Sequence, residues 1–208
     1  MQHIEVELFH HTPTWVVERA VSKPYQHEPV EGRAERVIAV KKHTSEAEFL
    51  GYWFDIRGMS RLCLMEMTRH RIASYSVEST RYTLRKALQK HQEGADLHEF
   101  FVTPMRNGTV DDALAAYVYQ TAVSFMAHAH ELLEQSYKQD EIKYLLPESW
   151  RTNAVVHMNA RSFANFAALR TESHAHFEIR HVAGLMVQAI PEDQRFILPE
   201  QVRHEFGL

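Results

Sequence analysis

An α+β fold is predicted: a single domain with a central antiparallel or mixed sheet flanked by a long-helix bundle. Three features point to it. Ile4, Val6 and Leu8 alternate with Glu5 and Glu7, the period of a half-buried strand with its acids outward. Gly51–Arg57 is aromatic and β-rich. From about residue 110 to 138, Leu114, Tyr117, Val118, Thr121, Phe125, His128 and Leu132 recur at helical spacing.

In chain order, residues 3–9 are read as the first strand. Thr12-Pro13 reads as an N-cap followed by proline at the first helical position, opening a short helix to about Val21 that Lys23-Pro24 ends. Residues 22–32, with Pro24, Pro29 and Gly32, form a loop. A second short helix, Arg33–Lys42, turns Ala34, Val37, Ile38 and Val40 to the core and stops near His43-Thr44-Ser45. Gly58 ends the strand that begins at Gly51, and a helix from about Ser60 to Arg71 follows with Leu62 and Met65 on its apolar stripe. Residues 72–82 read as a polar loop and Leu97–Val102 as a strand, with a turn at Asn107-Gly108. Thr109 opens the long helix. Asp140–Leu146 is a short helical piece ended by Pro147. Trp150–Met158 suits either a strand or the first turns of a helix. Helices then cover 159–170 and about His174 to Ala189, and Pro191 and Pro199 punctuate a tail.

The 208 residues suffice for a real core, and 45% hydrophobic with 24% charged residues is globular composition. A net charge of -4 makes any basic cluster a local feature, which favours a small anionic ligand over nucleic acid. The lone Cys63 excludes an intrachain disulfide framework and a multi-thiolate zinc site, and its apolar neighbours mark it as a small core residue. No signal-like N-terminus and no long apolar run are seen, so a cytoplasmic protein off the membrane is expected. Without repeats or linkers, residues 1–208 are read as one domain.

Arg69-His70-Arg71, with Ser74, Ser76, Ser79 and Arg81 close behind, crowds cations and hydroxyls at a helix end. Arginines on a core-facing stripe are costly unless paired or bound to an anion. A helix C-terminus rewards one cation by roughly 0.3–1 kcal/mol, which explains one arginine and not the cluster. Further on, a 100° wheel puts Phe163, Phe166, Ala167 and Arg170 on one face and Arg161, Asn165 and Glu172 on the other. A guanidinium between apolar walls suits bidentate contact with carbonyl, carboxylate or phosphate oxygens, although an ion pair with Glu66 or Glu172 would equally account for Arg170.

Arg69-His70-Arg71, seven residues, Ser79 and Arg81-Tyr82 resemble the signature of the flavin-dependent thymidylate synthases. Asn159-Ala160-Arg161-Ser162 with Asn165, Arg170 and Ser173-His174-Ala175 resembles that family's second block. The resemblance runs from about His43 to Ile179. It implies an FAD enzyme that methylates dUMP to dTMP, with methylenetetrahydrofolate as one-carbon donor and NADPH as reductant. It also implies a homotetramer with active sites between subunits. Carried over by motif, Ser45, Arg69, His70, Arg71, Asn159, Arg161 and Asn165 hold FAD. Glu66, Arg69, Glu78, Ser79, Thr80, Arg81, Lys143 and Arg170 hold dUMP, with Arg170 facing the uracil as the catalytic cation. The chain departs from the family pattern at Val77, Thr80, Glu46 and Phe49.

Two other classes compete with this reading. Fifteen histidines include Glu178-Ile179-Arg180-His181, which matches one half of a di-iron Glu-x-x-His pair; the second half is missing, so no metal is expected. A nucleotide- or RNA-binding module would need an RRM-type or zinc-knuckle signature, and neither is found.

Overall fold

The computed structural model describes residues 4–106 and 109–208. The elements are β1 (Glu5–His11), α1 (Thr14–Ser22), α2 (Arg33–Glu35), β2 (Gly51–Ser60), α3 (Arg61–Thr68), β3 (Ser74–Val77), α4 (Thr80–Gln92), β4 (Met105–Arg106), β5 (Thr109–Val110), α5 (Asp112–Glu134), α6 (Gln139–Ile142), β6 (Arg151–Asn159), α7 (Ala160–Arg170), α8 (Phe177–Gln188) and α9 (Glu200–Phe206). The fold is α+β. An antiparallel sheet has the order β1-β2-β6-β3, and β4 and β5 form a separate antiparallel pair.

The chain divides into two compact units, neither of them a continuous segment. The first comprises Ile4, Arg57–Met67 and Val77–Ala154. Its core gathers Leu84 and Leu88 of α4, Phe100 and Phe101, Ala122, Phe125, Met126 and Ala129 of α5, and Ile142, Leu146 and Trp150. Trp150 is the hub, edge-on to Phe101 at 5.2 Å and to Phe125 at 5.6 Å.

The second unit comprises Glu5–Ile56, Thr68–Ser76 and Val155–Leu208. Tyr52 and Phe54 of β2 pack on Phe163 of α7, each with ring centroids 5.5 Å apart, and all three are fully buried. Tyr52 and Phe54 share one face of β2 because side chains alternate along a strand. α7 also packs against α8 and against the 3₁₀ helix Thr44–Phe49.

Several boundaries differ from the sequence expectation. β1 ends at His11 and keeps the alternation, with Glu5 and Glu7 exposed, while the predicted start at His3 and the turn at Asn107-Gly108 lie outside the described residues. Pro13, not Thr12, precedes α1; the Thr12 hydroxyl instead accepts from the Gly51 N–H at 3.1 Å. Val40 is exposed, because the second helix winds into a π turn at Arg36–Val40 that leaves only Ala34, Val37 and Ile38 inward. Gly58 does not end β2. At φ +77° it is accommodated within the strand, where Asn153 Oδ1 accepts its N–H at 2.9 Å and Arg151 Nη1 donates to its carbonyl at 2.7 Å.

α3 stops at Thr68, and its buried side is Cys63 and Met67, not the expected Leu62 and Met65, of which Met65 is exposed. Arg69, His70 and Arg71 therefore follow the helix and are not in its last turn. The supposed loop at 72–82 contains β3 and the start of α4, whose Thr80, Leu84 and Leu88 are buried at i, i+4 and i+8. Leu97–Glu99 is a 3₁₀ turn; of the strand expected there, only the single antiparallel bridge from Phe101 to Trp150 exists. Asp111, not Thr109, caps α5 by accepting from the Leu114 N–H at 3.0 Å. Leu114 and Tyr117 are exposed, since this unit's apolar cluster reaches α5 only from Ala122 onward. Trp150–Met158 resolves as strand β6. The tail folds: Phe196, Ile197, Leu198 and Val202 are buried around α9.

Candidate functional site

In the second unit, the predicted cofactor residues collect around the first turns of α7. Asn159 caps the helix, its Oδ1 accepting from the Ser162 N–H at 2.8 Å. The buried Ser162 hydroxyl donates to the carbonyl of Ile72 and lies 2.6 Å from His70 Nε2. The segment that follows α3 is thereby pinned to α7. The His70 ring meets Phe166 edge-on at 5.5 Å, and Tyr75 OH donates to the His70 carbonyl at 2.8 Å. Arg161 Nη1 pairs with Glu48 Oε1 at 2.7 Å and so ties the Thr44–Phe49 turn to the same helix.

Three chain segments carrying Ser45, His70, and Asn159 with Arg161 thus converge. Ser45 is exposed and donates to Glu46 at 2.6 Å, and Arg69, Arg71 and Asn165 are exposed as well. Arg170 closes α7, half-buried on the face where Phe163, Phe166 and Ala167 are fully buried, as the helical wheel requires. Burial holds His70 below the usual histidine range, and the Arg170 charge acts in the same direction against the opposing hydrogen bond to Ser162. Burial pushes Tyr75 up to about 12, with Arg170 acting the other way. At neutral pH the cluster is a neutral imidazole among several guanidiniums and amides, suited to phosphate oxygens and heteroaromatic carbonyls.

The first unit holds most of the predicted nucleotide residues. Glu66 is half-buried on α3. Glu78 is held at both ends by Asn153: its N–H donates to the Asn153 carbonyl at 2.9 Å and its carboxylate accepts from the Asn153 amide. Ser79 precedes α4, with its carbonyl accepting from Tyr82 N at 2.9 Å, and Thr80 is buried as the first helical residue. Arg81 is exposed and ion-paired to Asp140, which also meets Lys143 Nζ at 3.3 Å. Arg81, ahead of Lys143, holds the Asp140 carboxyl below the usual carboxylate range. Arg81 and Asp140 line an open cleft of about 720 Å³ with Arg85, Tyr137 and Lys138. Arg69 and Arg170, the remaining members of the predicted nucleotide set, belong to the other unit.

Sequence reasoning missed Ser162 as a link, Tyr75, Asn153, Glu48 and Asp140. Asp140 was within reach, because it stands three residues before Lys143 on a helical turn. Tyr75 bonds the His70 carbonyl only five residues back, whereas Ser162, Asn153 and Glu48 act through partners far away in the chain and left no local signal.

Among the described residues no group of three or more His, Cys, Asp and Glu is placed to hold a metal ion. Of the Glu178-x-x-His181 half-motif, Glu178 is buried, and neighbouring His176 caps α8. Cys63 is buried and is in no disulfide. No described helix is long and apolar enough to cross a membrane.

Residues 7–193 match the Thy1 family, described as thymidylate synthase complementing protein. The chain is 33% identical over 207 residues to a flavin-dependent thymidylate synthase of Campylobacter jejuni, covering 93% of this chain and 95% of the relative. It is 34% identical over 203 residues to the protein of the same name from Wolinella succinogenes, covering 92% and 96%. Its fold is similar to that of thymidylate synthase X from Helicobacter pylori, crystallised with FAD and dUMP. That comparison gives a TM-score of 0.81 at 29% identity over 97% of this chain and 100% of the other.

Proposed function

The chain belongs to the flavin-dependent thymidylate synthases, and as the premise of its chemistry we propose that it methylates dUMP to dTMP with bound FAD, methylenetetrahydrofolate as one-carbon donor and NADPH as reductant. It is an enzyme of the methyltransferase class. The observation that carries the substrate and cofactor assignment is the convergence of the Ser45, His70 and Asn159–Arg161 segments on the first turns of α7. The Helicobacter pylori structure was solved with FAD and dUMP, which supports the same ligands here.

The residues fit FAD. Arg69, Arg71, Arg161 and Asn165 offer exposed N–H donors for its pyrophosphate and carbonyl oxygens. Asn159 spends its oxygen on the helix cap and keeps its amide N–H groups. His70 adds a neutral ring, and Ser45 is an exposed hydroxyl on the adjacent turn. When bound, FAD would supply the hydride that completes the methyl group.

For dUMP, Arg81 and Lys143 neutralise the phosphate, with Ser79 and the backbone at Thr80 beside them. Glu66, Glu78 and Arg69 orient the nucleoside. Arg170 carries the chemical role. A fixed cation at the uracil favours the N3-deprotonated or enolate-like form, in which C5 is nucleophilic toward the methylene donor.

Residues 1–208 acting as one domain, assembly as a homotetramer with active sites between subunits, small-molecule rather than nucleic-acid partners and a cytoplasmic location complete the proposal. Incubation with FAD, dUMP, NADPH and methylenetetrahydrofolate tests it. A yellow protein that forms dTMP is expected. A colourless protein that ignores FAD and forms no dTMP would overturn it.

A further inference from the structure

The Ser162 hydroxyl has one proton and two close neighbours, the Ile72 carbonyl oxygen at 2.5 Å and His70 Nε2 at 2.6 Å. A carbonyl only accepts, so at this separation the proton of Ser162 lies on the line to Ile72. Turning it toward His70 would leave two oxygens in contact with no proton between them. With its proton committed, Oγ can only accept from His70, which requires a hydrogen on Nε2. A neutral imidazole carries one ring proton, so Nδ1 is left with its lone pair.

The surroundings keep the ring neutral and still. Burial, and after it the Arg170 charge, disfavours a second proton. The edge-on contact with Phe166, at an interplanar angle of 75°, fixes the ring plane, and the Tyr75 hydroxyl anchors the backbone behind it. Among the described residues no donor is placed on Nδ1.

We propose that Ser162 is a positioning residue that locks His70 in the Nε2–H tautomer, so that Nδ1 is presented as a hydrogen-bond acceptor for an N–H of the bound flavin. The tautomer follows from the contacts of Ser162 and Ile72 alone; the identity of the donor rests on the FAD reading above. The consequence is selectivity in sign. His70 can receive a donor such as the flavin imide N–H, and repels a carbonyl oxygen brought to the same nitrogen. Ser162 needs no contact with any ligand to do this.

Imidazole ¹⁵N spectra of histidine-labelled protein test the proposal, with His70 assigned by the resonance lost in His70→Gln. In the wild-type protein, Nε2 is expected to give the protonated-type shift and Nδ1 the unprotonated-type shift. In Ser162→Ala the two should move toward each other as tautomers mix, and Ser162→Thr, which keeps the hydroxyl, should restore the separation. Both variants retain the Asn159 bond to the backbone N–H of residue 162, and circular dichroism checks that they fold. FAD should shift the Nδ1 resonance in the direction of hydrogen-bond acceptance.

A wild-type His70 protonated on Nδ1, or an unchanged tautomer in folded Ser162→Ala, would overturn the tautomer lock. An Nδ1 shift unmoved with FAD bound would overturn the flavin contact. Failure of the wild-type protein to bind FAD at all would instead overturn the cofactor reading and leave the tautomer result standing.

Discussion

The carboxylate of Asp140 is ion-paired with the guanidinium of Arg81, and its other oxygen lies 3.3 Å from Lys143 Nζ. One internal anion therefore bridges the two cations proposed to receive the substrate phosphate. On the proposed role of these cations, it orders them before substrate arrives and would compete with the phosphate for their charge.

Asp140→Asn should accordingly tighten dUMP binding severalfold and change deoxyuridine binding little, because only dUMP carries the competing anion. Calorimetric titration of both ligands at two salt concentrations checks this. The gain should shrink at high salt, since Arg81 is exposed and Asp140 and Lys143 are only half-buried, which leaves the cluster open to screening. Weaker dUMP binding would show that ordering outweighs competition.

Arg170→Ala should abolish dTMP formation, measured as tritium release from C5 of dUMP, while leaving FAD bound. The same substitution removes one of the two influences that hold His70 down, so the His70 midpoint should rise toward its ordinary value of 6.5. Near-normal turnover would refute the catalytic assignment.

The depressed His70 midpoint also has a sign for stability. The unfolded chain takes up the proton first, so this contribution is complete above the unfolded midpoint, about pH 6.5, and is lost as pH falls through the native one. Urea unfolding should show a decline in stability below about pH 6.5 that is smaller in His70→Gln. An identical pH dependence in the two proteins would refute it.

Arg161→Ala and Asn165→Ala should each weaken FAD retention more than dUMP affinity, read as flavin occupancy after gel filtration. Glu48→Gln removes the charge, though not the acceptor oxygen, of the 2.7 Å partner of Arg161. It should affect flavin occupancy less than loss of Arg161 itself, since the guanidinium remains. Unchanged occupancy in the Arg161 and Asn165 variants would count against the mapping.

Phe163→Ala should cost about 3–5 kcal/mol, by comparison with other buried aromatic truncations. Phe163 is fully buried and meets the rings of Tyr52, Phe54 and Phe166. Chemical denaturation measures the loss. A cost near zero would mean that the site closes over the cavity.

Much of this was legible in the sequence. Alternation at Ile4–Leu8 gave β1, the wheel over residues 160–170 separated buried Phe163 and Phe166 from exposed Arg161 and Asn165, and the two arginine-bearing blocks carried the family. Each is a local property, fixed by backbone periodicity and by residue types at set spacing.

Only tertiary structure decided what the charged and hydroxyl groups do with one another. Arg69-His70-Arg71 reads as a helix end in sequence, yet α3 stops at Thr68 and His70 is held instead by Ser162, ninety-two residues away. Arg81 finds Asp140 across fifty-nine residues, and Arg161 finds Glu48 across one hundred and thirteen. A hydrogen bond or ion pair needs its partners within about 3 Å, and periodicity carries no information on which distant segment the packed core brings that close. The sequence by itself determined which residue types the two blocks carry; the tertiary structure decided which distant partner each of them meets.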